Sequence, residues 1–312
     1  MSSDPRQSPN QLPPIALERL DFGRVAIFFG ARNGKYPDGN QILIRGTDTR
    51  AALDTPLVAN HIGPLFDSSE LVVLGHAHED HMAGLHRVPQ AKVYVHQADL
   101  AAARSWQGLQ ASFGIADKDR AAQMLDKLQR EFFYTPRPDA LGYEDGACWE
   151  LGGSSIRALH LPGHTAGHTA LLVEPEGVLF IGDIDLTGFG PYYADASSSL
   201  GDFRRSLERL AQIPARVWVT SHHRGVYTDR QRFLDHLAIF AGKIDEREQR
   251  LLNWLQDQPL NLAQLVQRRL LYPQGFSGPW VEDAETRTLN QHLDELLAQG
   301  RVHLDEQGLF HC

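Results

Sequence analysis

Several features that would place a chain in a special class are scarce in this sequence. Only two of its 312 residues are cysteines, Cys148 and Cys312, so neither a disulfide framework nor a paired-cysteine metal site is expected. This cysteine usage favours a reducing compartment, and we predict a cytoplasmic location. No apolar run reaches the roughly 18 residues that a membrane-spanning helix requires, so no membrane contact is expected.

Positive charge is also in short supply. The chain has 30 Lys and Arg residues against 39 Asp and Glu residues, which gives a formal net charge of −9. Binding to nucleic acid or to an anionic membrane surface depends on positive charge, so neither is expected as a partner. With 42% hydrophobic residues, the chain can bury a full core and is expected to form more than one domain.

The N-terminal segment has no long apolar stretch. Residues 1–14 are rich in Ser, Pro, Asn and Gln and contain nothing that resembles the apolar part of a secretion signal. We predict a mobile tail over residues 1–20, because such a composition cannot bury enough apolar surface to fold. The same observation argues against a secreted protein.

The most informative part of the sequence is residues 71–85. The apolar run 71–74 predicts a buried strand, and it is followed by His76-Ala-His78-Glu-Asp80-His81. Imidazole and carboxylate ligands suit borderline divalent metals such as zinc, manganese or iron. Alternation of side chains would place His76 and His78 together and direct Asp80 and His81 towards a neighbouring position. The spacing therefore predicts two adjacent metal ions.

This His-x-His-x-Asp-His pattern resembles the signature of the metallo-β-lactamase superfamily. Three later elements are similar to further motifs of that family and follow in the same order, within about residues 23 to 240. Residues 159–168 resemble its Pro-Gly-His-Thr-x-Gly-His element, and the strands 178–183 and 217–222 end in Gly-Asp and Ser-His. The resemblance implies that these elements add His164, Asp183 and His222 to the metal site.

The resemblance also implies a fold and a chemistry. The expected fold is α/β, a four-layer αββα sandwich with two divalent metal ions at one edge of its two sheets. Zinc is the first expectation, and manganese or iron is the alternative. Bound metals lower the pKa of water from 15.7 to about 7, so a metal-bridging hydroxide is the expected nucleophile. The implied metal ligands are His76, His78, Asp80, His81, His164, Asp183 and His222, and Asp80 is also the candidate catalytic residue that orients the nucleophile.

Some positions at the site involve a choice between neighbours. We prefer His222 over His223 because it aligns with the family's usual Gly-His, and Asp183 over Asp185 because it ends the strand. His168 is expected to orient a ligand rather than to bind metal.

Three other parts of the sequence concern the surroundings of the site. Residues 51–55 are similar to the family's Ile-Asp-Thr-Gly strand, so Asp54 is expected to brace the site from behind. The loop 36–40 either lines the mouth or is an ordinary hairpin loop. The helical pattern of residues 97–133 predicts a cover or a structural layer, and residues 134–145 are predicted to be a loop.

The segment 187–195 is aromatic and glycine-rich and follows the predicted bridging carboxylate. Tyr192 or Tyr193 could donate a hydrogen bond to a developing oxyanion from this position. The alternative is that the rings pack against the helix predicted over residues 200–213.

We predict a catalytic domain over residues 21–240 and a separate C-terminal module over residues 241–312. Leucines at helical spacing predict three helices in the module, and a hairpin follows. This order resembles a winged helix, which also occurs on a lactamase-β-like branch of the superfamily. The module has seven Lys and Arg residues against eleven Asp and Glu residues, which favours dimerisation or a wall of the active site over nucleic-acid binding.

Our leading hypothesis is a binuclear metallo-hydrolase that acts on a small ester-like substrate, which is a thioester, a lactone or a phosphoester. A nuclease or phosphodiesterase of the same fold is one alternative. A second is a mononuclear iron enzyme resembling the sulfur dioxygenases, which oxidise thiols. A third is a regulatory binding protein that has the fold without catalysis. A small-molecule substrate and a possible homodimer are the expected partners.

Overall fold

The computed structural model describes residues 17–223 and 225–312. Its strands form a first sheet of seven, a second sheet of six and a small hairpin. The strands are β1 (Arg19–Phe22), β2 (Val25–Phe28), β3 (Gln41–Arg45), β4 (Arg50–Leu53), β5 (Leu71–Val73), β6 (Lys92–His96), β7 (Leu141–Tyr143), β8 (Cys148–Glu150), β9 (Ser155–His160), β10 (Thr169–Glu174), β11 (Val178–Phe180), β12 (Val217–Val219), β13 (Val226–Tyr227), β14 (His303–Leu304) and β15 (Phe310–His311).

The helices lie on the outer faces of the two sheets and in the C-terminal part of the chain. The described part of the chain also contains three short 3-10 turns, and one of these, Glu79–His81, lies within the histidine-rich motif. The helices are α1 (Ala31–Gly34), α2 (Ala59–Ile62), α3 (Pro64–Asp67), α4 (Leu100–Arg104), α5 (Trp106–Phe113), α6 (Lys118–Phe132), α7 (Leu200–Gln212), α8 (Arg230–Asp257), α9 (Leu262–Arg268) and α10 (Val281–Ala298).

The order of strands in each sheet follows the chain. In the first sheet β1 to β4 are antiparallel, and β4 to β7 are parallel. In the second sheet β8 to β11 are antiparallel, and β11 pairs with β12 in parallel. The parallel strands β5, β11 and β12 each run directly into a loop with predicted ligands. Their carboxyl ends lie at the same edge of the sandwich, so these loops meet there.

Strand alternation divides the apolar residues among three layers of core. Ile27 of β2 and Leu171 of β10 face the space between the sheets. On the far side of the first sheet, Leu128 of α6 packs with strand residues, and on the far side of the second sheet Phe203 of α7 does the same. Each such buried side chain contributes about 1.5–3 kcal/mol. Helices therefore cover both outer faces, and the predicted four-layer αββα sandwich is confirmed.

The helical region between β6 and β7 begins each longer helix with a side-chain cap. Ser105 Oγ accepts a hydrogen bond from the Gly108 amide at 3.0 Å before α5. Asp117 Oδ1 accepts one from the Arg120 amide at 2.8 Å before α6. Such caps satisfy amides that have no partner inside the helix. The helices predicted within residues 97–133 are confirmed.

Two predictions from the sequence need correction. The predicted tail over residues 1–20 ends too late, because Arg19 and Leu20 already pair with β2; residues 1–16 lie outside the described part of the chain. The segment 134–145 is not loop throughout, since β7 pairs with β6. The sequence of β7, Leu-Gly-Tyr, has a weak strand preference. The strand is held by its pairing with β6 and by the Tyr143 hydroxyl, which donates to the Leu74 carbonyl at 2.8 Å.

The C-terminal part consists of the end of α8, then α9, α10 and the hairpin β14–β15, around a small apolar core of its own. The helix α8 is continuous through residue 241, where we predicted the module to begin. Three helices and a hairpin occur in the predicted order, and the winged-helix assignment stays a prediction. Within the described residues, no helix, including the 28-residue α8, is both long and apolar enough to cross a bilayer.

Candidate metal centre

The backbone just after β5 aims the first four polar side chains at one point. The Gly75 amide donates to Asp54 Oδ1 at 2.6 Å, which fixes the exit of the strand. The chain then turns through the short 3-10 segment, and His76, His78, Asp80 and His81 are all buried. A buried polar group requires a partner, so these four side chains depend on neighbouring polar groups of the chain or on a ligand.

One group of ring nitrogens comes from both sheets. His78 Nδ1 lies 3.1 Å from His76 Nε2 and 3.1 Å from His164 Nε2. The side chain of His164 is positioned by the loop between β9 and β10, and the Asp183 carboxylate adjoins the same group. We call His76, His78, His164 and Asp183 the first ligand group.

A second group lies beside the first. His222 Nε2 is 3.0 Å from Asp80 Oδ2, and His81 Nε2 is 3.7 Å from the same oxygen. We call Asp80, His81 and His222 the second ligand group. Asp183 lies between the groups, with Oδ1 3.0 Å from His81 Nε2 and Oδ2 3.4 Å from His164 Nε2. All seven predicted ligands therefore come together in the fold.

The donor atoms fit divalent metal better than they fit one another. His81 Nε2 and Asp183 Oδ1 are buried and 3.0 Å apart, yet they are not aligned as a hydrogen bond and neither has another hydrogen-bond partner in the described part of the chain. In the first ligand group three imidazole nitrogens face one another at 3.1 Å, so protons on all three would collide. Nitrogen and carboxylate donors in this arrangement suit zinc, manganese or iron.

Burial and charge set the protonation of these groups. Burial lowers the pKa of His76 and of His164, so both rings are neutral near pH 7, the form that binds metal. Burial opposes ionisation of Asp183, but His81 and then His222 hold the pKa of its carboxyl well below the usual value. Asp183 is therefore a carboxylate, the form in which this side chain can bind metal.

Contacts behind the predicted ligands fix the orientation of three of the rings. His164 Nδ1 donates to the Tyr192 carbonyl at 3.0 Å, and His222 Nδ1 donates to the Asp38 carbonyl at 2.7 Å. In a neutral ring with this proton on Nδ1, the opposite nitrogen is unprotonated and faces the centre. His81 Nδ1 lies 2.6 Å from Asp54 Oδ2, so the geometry places Asp54 behind the site as expected.

The two choices between neighbouring residues are placed differently by the structure. The His223 ring belongs to neither ligand group, and its residue has a left-handed backbone with φ of 62°. Asp185 lies closer than expected, because its Oδ1 accepts a hydrogen bond from the His222 amide at 3.1 Å and it adjoins Asp183. Burial raises the pKa of Asp185 to about 7.

His168 supports Asp183 from behind. Its Nδ1 donates to the Leu161 carbonyl at 2.9 Å, and its Nε2 accepts the Asp183 amide at 3.1 Å. Burial lowers its pKa to about 3, which keeps Nε2 free to accept. The close approach requires a glycine at 182, where φ is +58° and an added Cβ would collide with His168 Nε2.

Aromatic side chains border the mouth of the centre. The Tyr36 hydroxyl donates to Glu79 Oε1 at 3.2 Å, and its ring centroid is 6.1 Å from that of His222. The Phe113 ring at the end of α5 lies 5.5 Å from the His78 ring. The loop 36–40 and the helical insertion thus both contact the centre.

The two tyrosines that follow Asp185 have different surroundings. Tyr193 is fully buried and hydrogen-bonded to His292 at 2.8 Å, so it cannot reach an oxyanion and the packing alternative holds for it. Tyr192 donates to Asp195 Oδ1 at 3.3 Å. Asp195 Oδ2 lies 3.0 Å from His78 Nε2, and our sequence reasoning did not predict this contact. The sequence signal for it is weak, an acidic residue that follows the predicted bridging carboxylate.

Comparison with known proteins agrees with this geometry. Residues 70–222 match the family model described as the metallo-beta-lactamase superfamily. The crystal structure of a metallo-beta-lactamase family protein from Thermus thermophilus is similar with a TM-score of 0.66 and 26% identity, covering 88% of this chain and 93% of that one. The chain belongs to the metallo-β-lactamase superfamily.

Two curated relatives extend the comparison. An atrochrysone carboxyl ACP thioesterase of Pseudocercospora fijiensis is 27% identical over 177 residues, which is 55% of this chain and 51% of that protein. A beta-lactamase-like protein 2 homolog of Drosophila melanogaster is 23% identical over 305 residues, which is 94% of each chain. The chain thus spans about half of the thioesterase and nearly all of the Drosophila protein.

Proposed function

We propose that this protein is a metal-dependent hydrolase of thioesters with two divalent metal ions. One ion would be held by the first ligand group and the other by the second, and Asp183 would contact both. The observation that carries the proposal is the meeting of the two groups at Asp183, within 3.0 Å of His81 and 3.4 Å of His164. Zinc is the expected metal.

The thioester class is supported by the chemistry of the mouth and by similarity. A relative that matches about half of its own length is named a thioesterase. Tyr36 and Phe113 present ring surface beside the ligands, which suits the apolar part of an acyl group. The chain's net charge of −9 gives no general attraction to a polyanionic substrate, which makes phosphodiesters the weaker choice.

Metal ions bound here would lower the pKa of water and polarise a carbonyl oxygen. The chain's own residues prepare the site for this chemistry. Burial opposes ionisation of Asp80, but His81 and His222 hold the pKa of this carboxyl below its usual value, so Asp80 is an ionised acceptor that can orient the nucleophile. Burial raises the pKa of Tyr36, so its hydroxyl stays protonated and can donate a hydrogen bond at the mouth.

The first test is metal content together with turnover. We expect about two divalent metal ions per chain by elemental analysis, and release of free thiol from acyl thioesters in preference to hydrolysis of lactones and phosphodiesters. About one iron ion per chain, with oxygen consumption in the presence of a persulfide, would instead favour the sulfur dioxygenase alternative. No metal, even after reconstitution, would contradict the proposal.

A pair of histidine variants tests the ligand assignment. His78→Ala removes a member of the first ligand group, and we expect turnover to fall by about 10³-fold or more, because a loss of several kcal/mol of transition-state stabilisation corresponds to that factor. His223→Ala is the matched control, since this histidine belongs to neither group. Circular dichroism checks that both variants fold, and full activity of folded His78→Ala would refute the assignment.

A further inference from the structure

A buried carboxylate contacts the outer nitrogen of one predicted ligand. Asp195 Oδ2 lies 3.0 Å from His78 Nε2, on the side of the ring opposite to Nδ1, which faces His76 and His164. Both side chains are almost fully buried, at 9% exposure each. Water therefore has little access to this contact, and the carboxylate and the imidazole have few other partners to choose from.

The position of Asp195 is itself fixed by neighbouring groups. The Tyr192 hydroxyl donates to Asp195 Oδ1 at 3.3 Å, and the Asp195 amide donates to Ser198 Oγ at 3.1 Å. The Ser198 hydroxyl donates in turn to the His164 carbonyl at 2.6 Å. One turn of chain thus contacts two residues of the first ligand group, the ring of His78 and the backbone of His164.

The loop that carries Asp195 is attached to the C-terminal helices rather than to either sheet. Three side chains donate to its backbone carbonyls. From α8, Arg247 donates to Pro191 at 2.5 Å and to Phe189 at 2.6 Å. From α10, Gln291 donates to Tyr193 at 2.7 Å and Arg287 donates to Ala194 at 3.3 Å.

The same helix contacts both ends of the segment. Gln291 Oε1 also accepts the Leu200 amide at 2.5 Å, at the start of α7, and His292 forms a hydrogen bond with the Tyr193 hydroxyl at 2.8 Å. Backbone groups that are bonded to a rigid helix have little freedom to move, and a carboxylate at the end of such a segment keeps its place.

We propose that Asp195 is a positioning residue for His78, and that α10 sets the metal affinity of the first ligand group through the loop 189–195. The His78 Nε2 proton is not aligned with Asp195 Oδ2 as a hydrogen bond, but a buried carboxylate 3.0 Å from this nitrogen favours a proton on it. Nδ1 is then left unprotonated, as a metal ligand must be. This inference rests on the proposed metal site. It gives the C-terminal helices a part in the centre although none of their residues belongs to a ligand group.

The test measures zinc affinity of the metal-free, full-length chain by competition with a chromogenic chelator. The His222→Ala background keeps the first ligand group complete and weakens the second. In this background we expect Asp195→Asn to lower zinc affinity by about 10–100-fold, the usual cost of losing a group behind a metal ligand. We expect Gln291→Ala, which leaves Asp195 intact, to lower it by a smaller factor of about 3–10 on the same principle.

Two further measurements separate positioning from general damage. The visible spectrum of the cobalt-loaded chain reports ligand geometry, and it should change in Asp195→Asn and less in Gln291→Ala. Arg301→Gln is the control in the same part of the chain, because Arg301 contacts Glu248 at 2.5 Å and has no contact with the loop; its zinc affinity and spectrum should match those of the parent. Thermal unfolding of each metal-free variant checks that it is folded.

The possible results distinguish this inference from the proposed function. Unchanged zinc affinity in folded Asp195→Asn and Gln291→Ala, with a parent that binds metal, would overturn the inference and leave the metal centre in place. Failure of the unmodified chain to bind any divalent metal would overturn both. If Asp195→Asn does not fold, the loss of affinity in Gln291→Ala against Arg301→Gln decides the question alone.

Discussion

The two sheets contribute to the centre in different ways. The first sheet supplies four side chains from a single loop, residues 76–81, directly after β5. The second supplies His164, Asp183 and His222, each from a different loop at the same edge. One half of the centre is therefore encoded in a local motif, whereas the other half exists only when β9 to β12 have assembled.

The support behind each half differs in the same way. Behind the first sheet's motif stands Asp54, which follows β4 in the same sheet and contacts both Gly75 and His81. The loop 189–195, which is held by side chains from α8 and α10, contacts His164 from the second sheet and also His78 of the first sheet's motif. Its own sheet therefore braces His81, whereas His78 and His164 are contacted by a loop that distant helices hold.

The largest effect should come from Asp183, which lies between the two ligand groups. Asp183→Asn keeps the size of the side chain but removes the negative charge shared by both ligand groups, so we expect loss of both metal ions and a fall in turnover of about 10³-fold or more. His222→Ala should lose one metal ion and keep the other. Elemental analysis after gel filtration counts the ions. Two ions retained by Asp183→Asn would show that the two ligand groups do not meet at this residue.

The difference between the halves also explains what the sequence could predict. Each predicted ligand from the second sheet directly follows a short apolar strand or lies in a recognisable motif. Asp183 and His222 could therefore be predicted from the family resemblance, even though their loops lie far apart in the chain. The four-layer fold was expected from the family resemblance that these motifs carry, and the two sheets with helices on their outer faces confirm it.

Contacts made by backbone carbonyls cannot be predicted from the sequence. The rings of His164 and His222 are oriented by the carbonyls of Tyr192 and Asp38, and any residue type offers such a group. Asp195 shows the same limit for a side chain, because its partner His78 comes from the opposite sheet and only the folded loop brings them together. The edge strand β7 was missed since its pairing, not its composition, makes it a strand.

A smaller effect is expected from the brace of the first sheet. Asp54→Asn weakens the contact with His81 Nδ1, now 2.6 Å, and should lower metal affinity of the second ligand group by about 10–100-fold. Zinc competition in the His78→Ala background isolates that group. Asp67→Asn is the control, because Asp67 pairs with Arg87 at 2.7 Å away from the ligands. Equal affinities for the two variants would mean that the sheet does not brace its own motif.

The smallest effect concerns the contacts by which α10 holds the loop 189–195, and it depends on pH. Burial, followed by Arg247 and Arg204, lowers the pKa of His292 to about 3, whereas an unfolded histidine has a pKa of about 6.5. The unfolded chain therefore binds a proton that the folded chain does not, so stability is lost as pH falls from about 6.5 towards 3. At pH 5 this cost is about 2 kcal/mol.

His292→Gln removes the titrating group and keeps a side chain that can accept the Tyr193 hydroxyl. We compare urea unfolding of the metal-free parent and variant at pH 7 and pH 5, with a chelator present so that metal binding does not contribute. The parent should lose about 2 kcal/mol more than the variant between these pH values. An equal loss in both chains would mean that the pKa of His292 in the folded chain is close to its unfolded value. The contact of α10 with Tyr193 would then be more open to water than its burial indicates.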